Sequence, residues 1–169
     1  MAANIMLDDD GTTPILMDLG SLAPSPTQIT SRSQAIAVQD EAGEHSTLPY
    51  RAPELFEVQT GKTIDTKVDI WSLGCTVYAL LIGKSPFEAR SDESGGSLNM
   101  CILNADWRWP DEASGKGSRG QQAQNSNSIS EGVKEVVSRC LSVEPDERPD
   151  VDELMSLVKK AIAALPEED

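Results

Sequence analysis

Side chains able to carry chemistry are sparse in these 169 residues, and most drop out on type or spacing. The single histidine, His45, excludes any site that needs two imidazoles. Cys75, Cys101 and Cys140 stand far apart in apolar patterns without metal-ligand spacing, and they read as buried free thiols of a reducing compartment. Gly115-Lys116-Gly117-Ser118-Arg119-Gly120 satisfies the G-x-G-x-x-G pattern of a phosphate-binding turn letter by letter. Such a turn follows a strand and opens a helix, whereas this one sits in a run of Ser, Gly, Gln, Asn and charge, so it is a chance match. The carboxylates remain. Asp18 heads Asp18-Leu19-Gly20 behind the apolar run at 14–17, Glu54 closes Ala52-Pro53-Glu54, and Asp69 opens the longest apolar stretch. An ionised carboxylate is a hard acceptor: it holds a divalent cation, takes backbone N–H groups or pairs with a guanidinium.

The elements that must position these groups are mostly helical. Residues 70–82 are apolar on every side, with only Ser72 and Thr76 interrupting, which predicts a helix buried all round, with Trp71, Leu73 and Leu80 in the core. Asp69 suits its positive end and Gly83 its stop. Two short apolar runs, at 5–7 and 14–17, flank Asp8-Asp9-Asp10-Gly11-Thr12-Thr13 and predict a β-hairpin with an acidic turn. Residues 21–46 lack sustained periodicity and are expected to form a long loop, after which Pro53 is expected to open a short helix over 54–59. Ser85-Pro86-Phe87 leads into an expected polar loop ending at Gly95-Gly96. Further helices follow at Ser97, at Ser130 and at Asp150, where Glu153 completes a capping box. Residues 111–128 are too polar to offset the entropy of ordering and read as a disordered insert, and 166–169 form an acidic tail. The expected fold is mainly α with a short β-hairpin, four or five helices gathered around one buried helix. A formal charge of −14 excludes nucleic acid and anionic membrane surfaces as partners, and no stretch predicts direct membrane insertion. With Ala2 in second place, acylation of an N-terminal glycine is not expected.

Taken in order, Asp18-Leu19-Gly20, Ala52-Pro53-Glu54, Asp69-x-Trp71-Ser72-x-Gly74, Pro86-Phe87, and Cys140-Leu141 with Pro145 and Arg148-Pro149 resemble the large lobe of a eukaryotic protein kinase. The wording of residues 15–21 and 50–56, with Ile64-Asp65 ahead of Asp69, resembles the Numb-associated kinase group, in particular its branch of myristoylated and palmitoylated serine/threonine kinases. The resemblance implies ATP and magnesium as cofactors, with Asp18 and Asn4 as metal and nucleotide ligands. It implies that Thr47 helps to position the catalytic base and the substrate hydroxyl. Glu54 and Arg148 would form a buried ion pair, and Asp69 would hold backbone amides of the catalytic loop; these are structural roles.

The same resemblance says what to look for and not find. A Gly-rich loop, a strand lysine, its glutamate partner and a catalytic aspartate would all precede Asn4. The expectation is therefore an incomplete protein-kinase-like fold, the C-terminal lobe only, over residues 1–165, with an activation segment at 18–54 and no complete catalytic set. Two functions fit: part of an ATP-dependent protein serine/threonine kinase, inactive alone, or a non-catalytic module that binds a protein substrate or docking protein. An intracellular setting, cytoplasmic or at the periphery of endomembranes, goes with either. An upstream reading frame encoding His-Arg-Asp would favour the first.

Overall fold

The computed structural model describes residues 4–110 and 129–165. The expected insert at 111–128 and tail at 166–169 lie outside the described residues. The chain opens with an antiparallel hairpin, β1 (Ile5–Leu7) and β2 (Pro14–Leu16). A second two-stranded antiparallel sheet, unforeseen in sequence, joins β3 (Thr27–Gln28) to β4 (Thr63–Ile64). The helices are α1 (Arg32–His45), α2 (Lys67–Ile82), α3 (Pro86–Ser94), α4 (Leu98–Leu103), α5 (Glu131–Cys140) and α6 (Val151–Ala163). No helix among the described residues is long and apolar enough to cross a membrane. A mainly helical fold with a short hairpin is what the sequence predicts.

Helix α2 is the axis of the molecule. Gly83 ends it at φ 90°, in the left-handed region where glycine is unstrained, and its N–H closes on the carbonyl of Ala79 at 2.8 Å. Trp71, Cys75 and Tyr78 of α2 pack with Ala52, Phe87, Cys101, Ile102, Trp109, Val137 and Leu141 in the largest core cluster. The Trp71 and Phe87 rings stack at 5.2 Å. On the adjoining side Ile70 meets Val136, Cys140, Leu154 and Ala161. Gly74 makes this possible: a Cβ there would lie 2.6 Å from the Cβ of Cys140. All three cysteines are buried and free, and burial pushes the Cys140 thiol up to about 11.

Four expectations need correction. Residues 21–46 are not one long loop, because Ser31 accepts the Gln34 N–H at 3.2 Å and nucleates α1. This helix has little periodicity because it buries only Ala35, in a small cluster with Ile29 and Val58. The polar stretch after Ser85 is also a helix, α3, opened by a full Ser85–Glu88 capping box with Pro86 in its first turn. The helix expected over 54–59 is a single 3-10 turn, Pro53–Leu55. Finally, α2 is not buried all round: Leu73, Leu80 and Leu81 are 43, 65 and 48 % exposed. The elements packed on α2 include α3, α5 and the turns at Leu48–Tyr50 and Pro145–Glu147, and they leave the side bearing these leucines open.

Candidate functional site

Hairpin register assembles the first pair of groups. Ile5 stands opposite Leu16, Met6 opposite Ile15 and Leu7 opposite Pro14. One step beyond the strands, the Met17 N–H donates to the carbonyl of Asn4 at 2.8 Å. Asn4 and Asp18, fourteen positions apart, thereby arrive at the same end of the ribbon, where Asn4 Nδ2 donates to Asp18 Oδ2 at 3.5 Å. Asp18 is exposed and left-handed at φ 61°, ψ 62°, a region aspartate tolerates better than most residues with a side chain. At the opposite end the acidic turn satisfies itself: Asp10 Oδ1 accepts the Thr12 N–H at 2.7 Å and its hydroxyl at 2.5 Å.

Thr47 precedes a 3-10 turn, Leu48–Tyr50, and is exposed; its hydroxyl makes no hydrogen bond among the described residues. No hydrogen bond joins it to Asn4 or Asp18. What holds this turn in place was not foreseen in sequence. Ser72 of α2 donates from Oγ to the carbonyl of Tyr50 at 2.9 Å, with the carbonyl of Val68 at 3.1 Å as the alternative acceptor. Arg51, next in line, donates from Nε to Ser46 Oγ at 2.7 Å and from Nη2 to the carbonyls of Gly43 and Ser46 at 3.2 Å each. It thus covers carbonyls at the C-terminal end of α1. The signal for Ser72 was available, since it is one of only two polar interruptions in the apolar run.

Arg148 is 1 % exposed and joins three distant stretches of chain. Its Nη1 and Nη2 donate to Glu54 Oε1 and Oε2 at 2.7 and 2.8 Å, a two-pronged ion pair. The remaining N–H groups reach the carbonyls of Ser142, Lys67 and Val143 at 2.8, 2.9 and 3.1 Å. The guanidinium also lies 4.9 Å from the centre of the Trp71 ring. Lys67 returns the contact by donating from Nζ to the Arg148 carbonyl at 2.6 Å. Asp69 is placed differently. It lies in the first turn of α2, exposed, and among the described residues its carboxylate accepts no hydrogen bond. Partial desolvation raises its pKa from the ordinary carboxylate value.

The protein kinase domain family matches residues 2–158. The chain belongs to the protein kinase family. Its relatives are serine/threonine kinases by name. It is 39 % identical over 155 residues to serine/threonine-protein kinase ppk13 of Schizosaccharomyces pombe, covering 92 % of this chain and 41 % of the relative. It is 35 % identical over 157 residues to serine/threonine-protein kinase ENV7 of Saccharomyces cerevisiae, covering 93 % and 39 %. Identity to mouse serine/threonine-protein kinase 16 is 35 % over 153 residues, covering 90 % and 45 %. This kinase chain therefore spans about two-fifths of the length of these relatives.

Proposed function

We propose that this chain supplies the metal-ligand hairpin and the substrate platform, that is the C-terminal lobe, of an ATP-dependent protein serine/threonine kinase. The observation behind the reading is the juxtaposition of Asn4 and Asp18 by the hairpin. An amide oxygen and a carboxylate, both hard donors and reached by solvent, suit magnesium, which takes one or two protein ligands and completes its shell with phosphate and water. No group of three or more His, Cys, Asp or Glu side chains suited to a metal occurs among the described residues, which fits a cation shared with a nucleotide rather than caged by protein. The cation would neutralise charge on the nucleotide phosphates. Asp18 and Asn4 would bind and orient it. The turn at Thr47, tethered to α2 through Ser72, would present a hydroxyl at the substrate side, and the Glu54–Arg148 pair would fix that segment to the helical core. The wording at 15–21 and 50–56 supports the finer placement in the Numb-associated group.

The 169 residues contain no His-Arg-Asp, and the G-x-G-x-x-G match at 115–120 follows no apolar run in the sequence. Positioning and electrostatics make up nearly all of phosphoryl-transfer catalysis, so the chain by itself is expected not to transfer phosphate. The decisive experiment joins it to the part of the fission-yeast relative that precedes the matched region. Magnesium-ATP-dependent phosphorylation of serine or threonine in a protein substrate is expected from the chimera and not from the chain alone, with Asp18→Ala abolishing it. A chimera that keeps its activity after Asp18→Ala, or Asp18-dependent activity of the isolated chain, would overturn the reading.

A further inference from the structure

Helix α6 has two apolar faces, and the folded chain uses one. Leu154, Leu157, Val158 and Ala161 pack against Ile70, Val136 and Cys140. Beside them Val151, Met155 and Ile162 are 58, 50 and 62 % exposed, and Leu165, in the turn that follows, is 46 % exposed. With Val158, half-buried between the two faces, these residues recur at spacings of four, three, four and three. At 3.6 residues per turn that spacing draws one nearly straight seam along the helix. Scattered apolar residues on a surface are ordinary, but a continuous seam at coiled-coil spacing is the pattern of a helix–helix contact.

The seam is complementary to itself. Turned end for end about a two-fold axis passing between Ser156 and Leu157, Val151 falls opposite Ile162 and Met155 opposite Val158. The charges nearly follow it, since the midpoint between Asp152 and Lys159 lies one residue from that axis. Asp152 and Lys159 border the seam on one flank, seven positions or roughly 10 Å apart along the axis, too far to pair within the helix. Neither side chain has an ion pair or hydrogen bond among the described residues. About the two-fold axis, Asp152 of one copy comes within about one helical turn of Lys159 of the other, on the shared flank, and this happens twice. In a parallel pairing the flanks bearing Asp152 and Lys159 would fall on opposite sides of the seam, so these charges would not meet. We propose that α6 is a homotypic docking surface: two copies of this chain associate through antiparallel α6 helices, seamed by Val151, Met155, Val158 and Ile162 and flanked by two Asp152–Lys159 pairs.

One helix face per copy belongs below the roughly 1,200 Å² that marks weak contacts, and the charge of −14 on each chain opposes approach. The dimer is therefore reversible and needs salt to screen that charge. Sedimentation equilibrium of the full chain at about 0.15 M salt, from about 1 μM to about 1 mM, tests it. A monomer–dimer equilibrium is expected, weakened at least about tenfold by Ile162→Glu, with circular dichroism unchanged because Ile162 is exposed. Asp152→Lys and Lys159→Asp should each weaken association, and combining them in one chain should restore it. A chain that stays monomeric at the highest concentration, or a dimer indifferent to Ile162→Glu, overturns the proposal. So does failure of the double charge swap to rescue, which would exclude the antiparallel arrangement.

Discussion

Arg148 has five N–H groups, and each finds an acceptor: two in Glu54 and three in backbone carbonyls contributed by α2 and by the stretch between α5 and α6. Removing the guanidinium leaves a largely buried carboxylate and three carbonyls to find new partners. Arg148→Ala is therefore expected to cost about 3–5 kcal/mol in a urea melt, and Glu54→Ala a similar amount because it strands a buried cation. A loss below about 1 kcal/mol for both would mean that water replaces the pair without cost. Asp69 is the opposite case, a charge that gains little. Among the described residues its carboxylate accepts no hydrogen bond, and desolvation by partial burial puts its folded pKa above the unfolded one. The folded chain then holds the extra proton between those two values, so stability falls as pH rises through that window and is level above it. Asp69→Asn removes the titration, and the variant should match its parent in acid and lead it by less than about 1 kcal/mol at neutral pH. Paired urea melts at acid and neutral pH check this; a neutral-pH deficit for the variant would show that Asp69 has favourable partners.

Which elements could be read in advance follows from how each one is stabilised. Helices α2, α5 and α6 announce themselves through apolar spacing because each buries a face, whereas the hairpin is read from two apolar runs around an acidic turn although its strands stay largely exposed. Helices α1 and α3 bury very little, Ala35 in one and Pro86 with Phe87 in the other, so their periodicity is faint and their polar residues read as loop. Their start signals were present: serine with Gln or Glu three positions on, at Ser31–Gln34 and Ser85–Glu88. The meeting of Asn4 with Asp18 follows from hairpin register, whereas the anchoring of the Thr47 turn by Ser72 needs a packing partner no local pattern reveals. Contacts between elements also set the tolerance of the small residues. A Cβ at Gly74 would approach the Cβ of Cys140 to 2.6 Å and the Leu141 side chain to 3.1 Å, so α2 and α5 would have to part. Gly74→Ala should destabilise the chain by about 1–3 kcal/mol or more in a urea melt. Trimming the neighbour in a Gly74→Ala, Cys140→Ala double variant should not rescue it, since the clash is with a Cβ that alanine keeps. Full rescue would show that the sulfur, not the backbone separation, sets the fit.

At the scale of the whole molecule, apolar surface beyond the α6 seam is left on the hairpin and on α2. On the hairpin Met6, Leu7, Ile15 and Leu16 are exposed, followed by Met17, Leu19 and Leu22, and on α2 Leu73, Leu80 and Leu81 are exposed on a helix whose sequence reads as pure core. A leucine in a packed core costs about 2–5 kcal/mol when truncated, whereas a surface change away from special features stays within about 0.5 kcal/mol. The two readings of α2 therefore differ by an amount a single measurement resolves. Leu80→Ser with Leu81→Ser should leave the midpoint of urea unfolding of this chain within about 0.5 kcal/mol of the parent, and should reduce its binding of an apolar fluorescent dye. The relatives are more than twice as long as the matched segment, so they have further chain with which to cover the corresponding face. In the chimera with the upstream part of the fission-yeast relative, the same double change should cost several times more, because the leucines would there lose real contacts. Equal and small losses in both settings would show that this face of α2 stays open even in the longer protein. A large loss in the short chain would show that Leu80 and Leu81 are packed after all, and that the open side of α2 lies elsewhere.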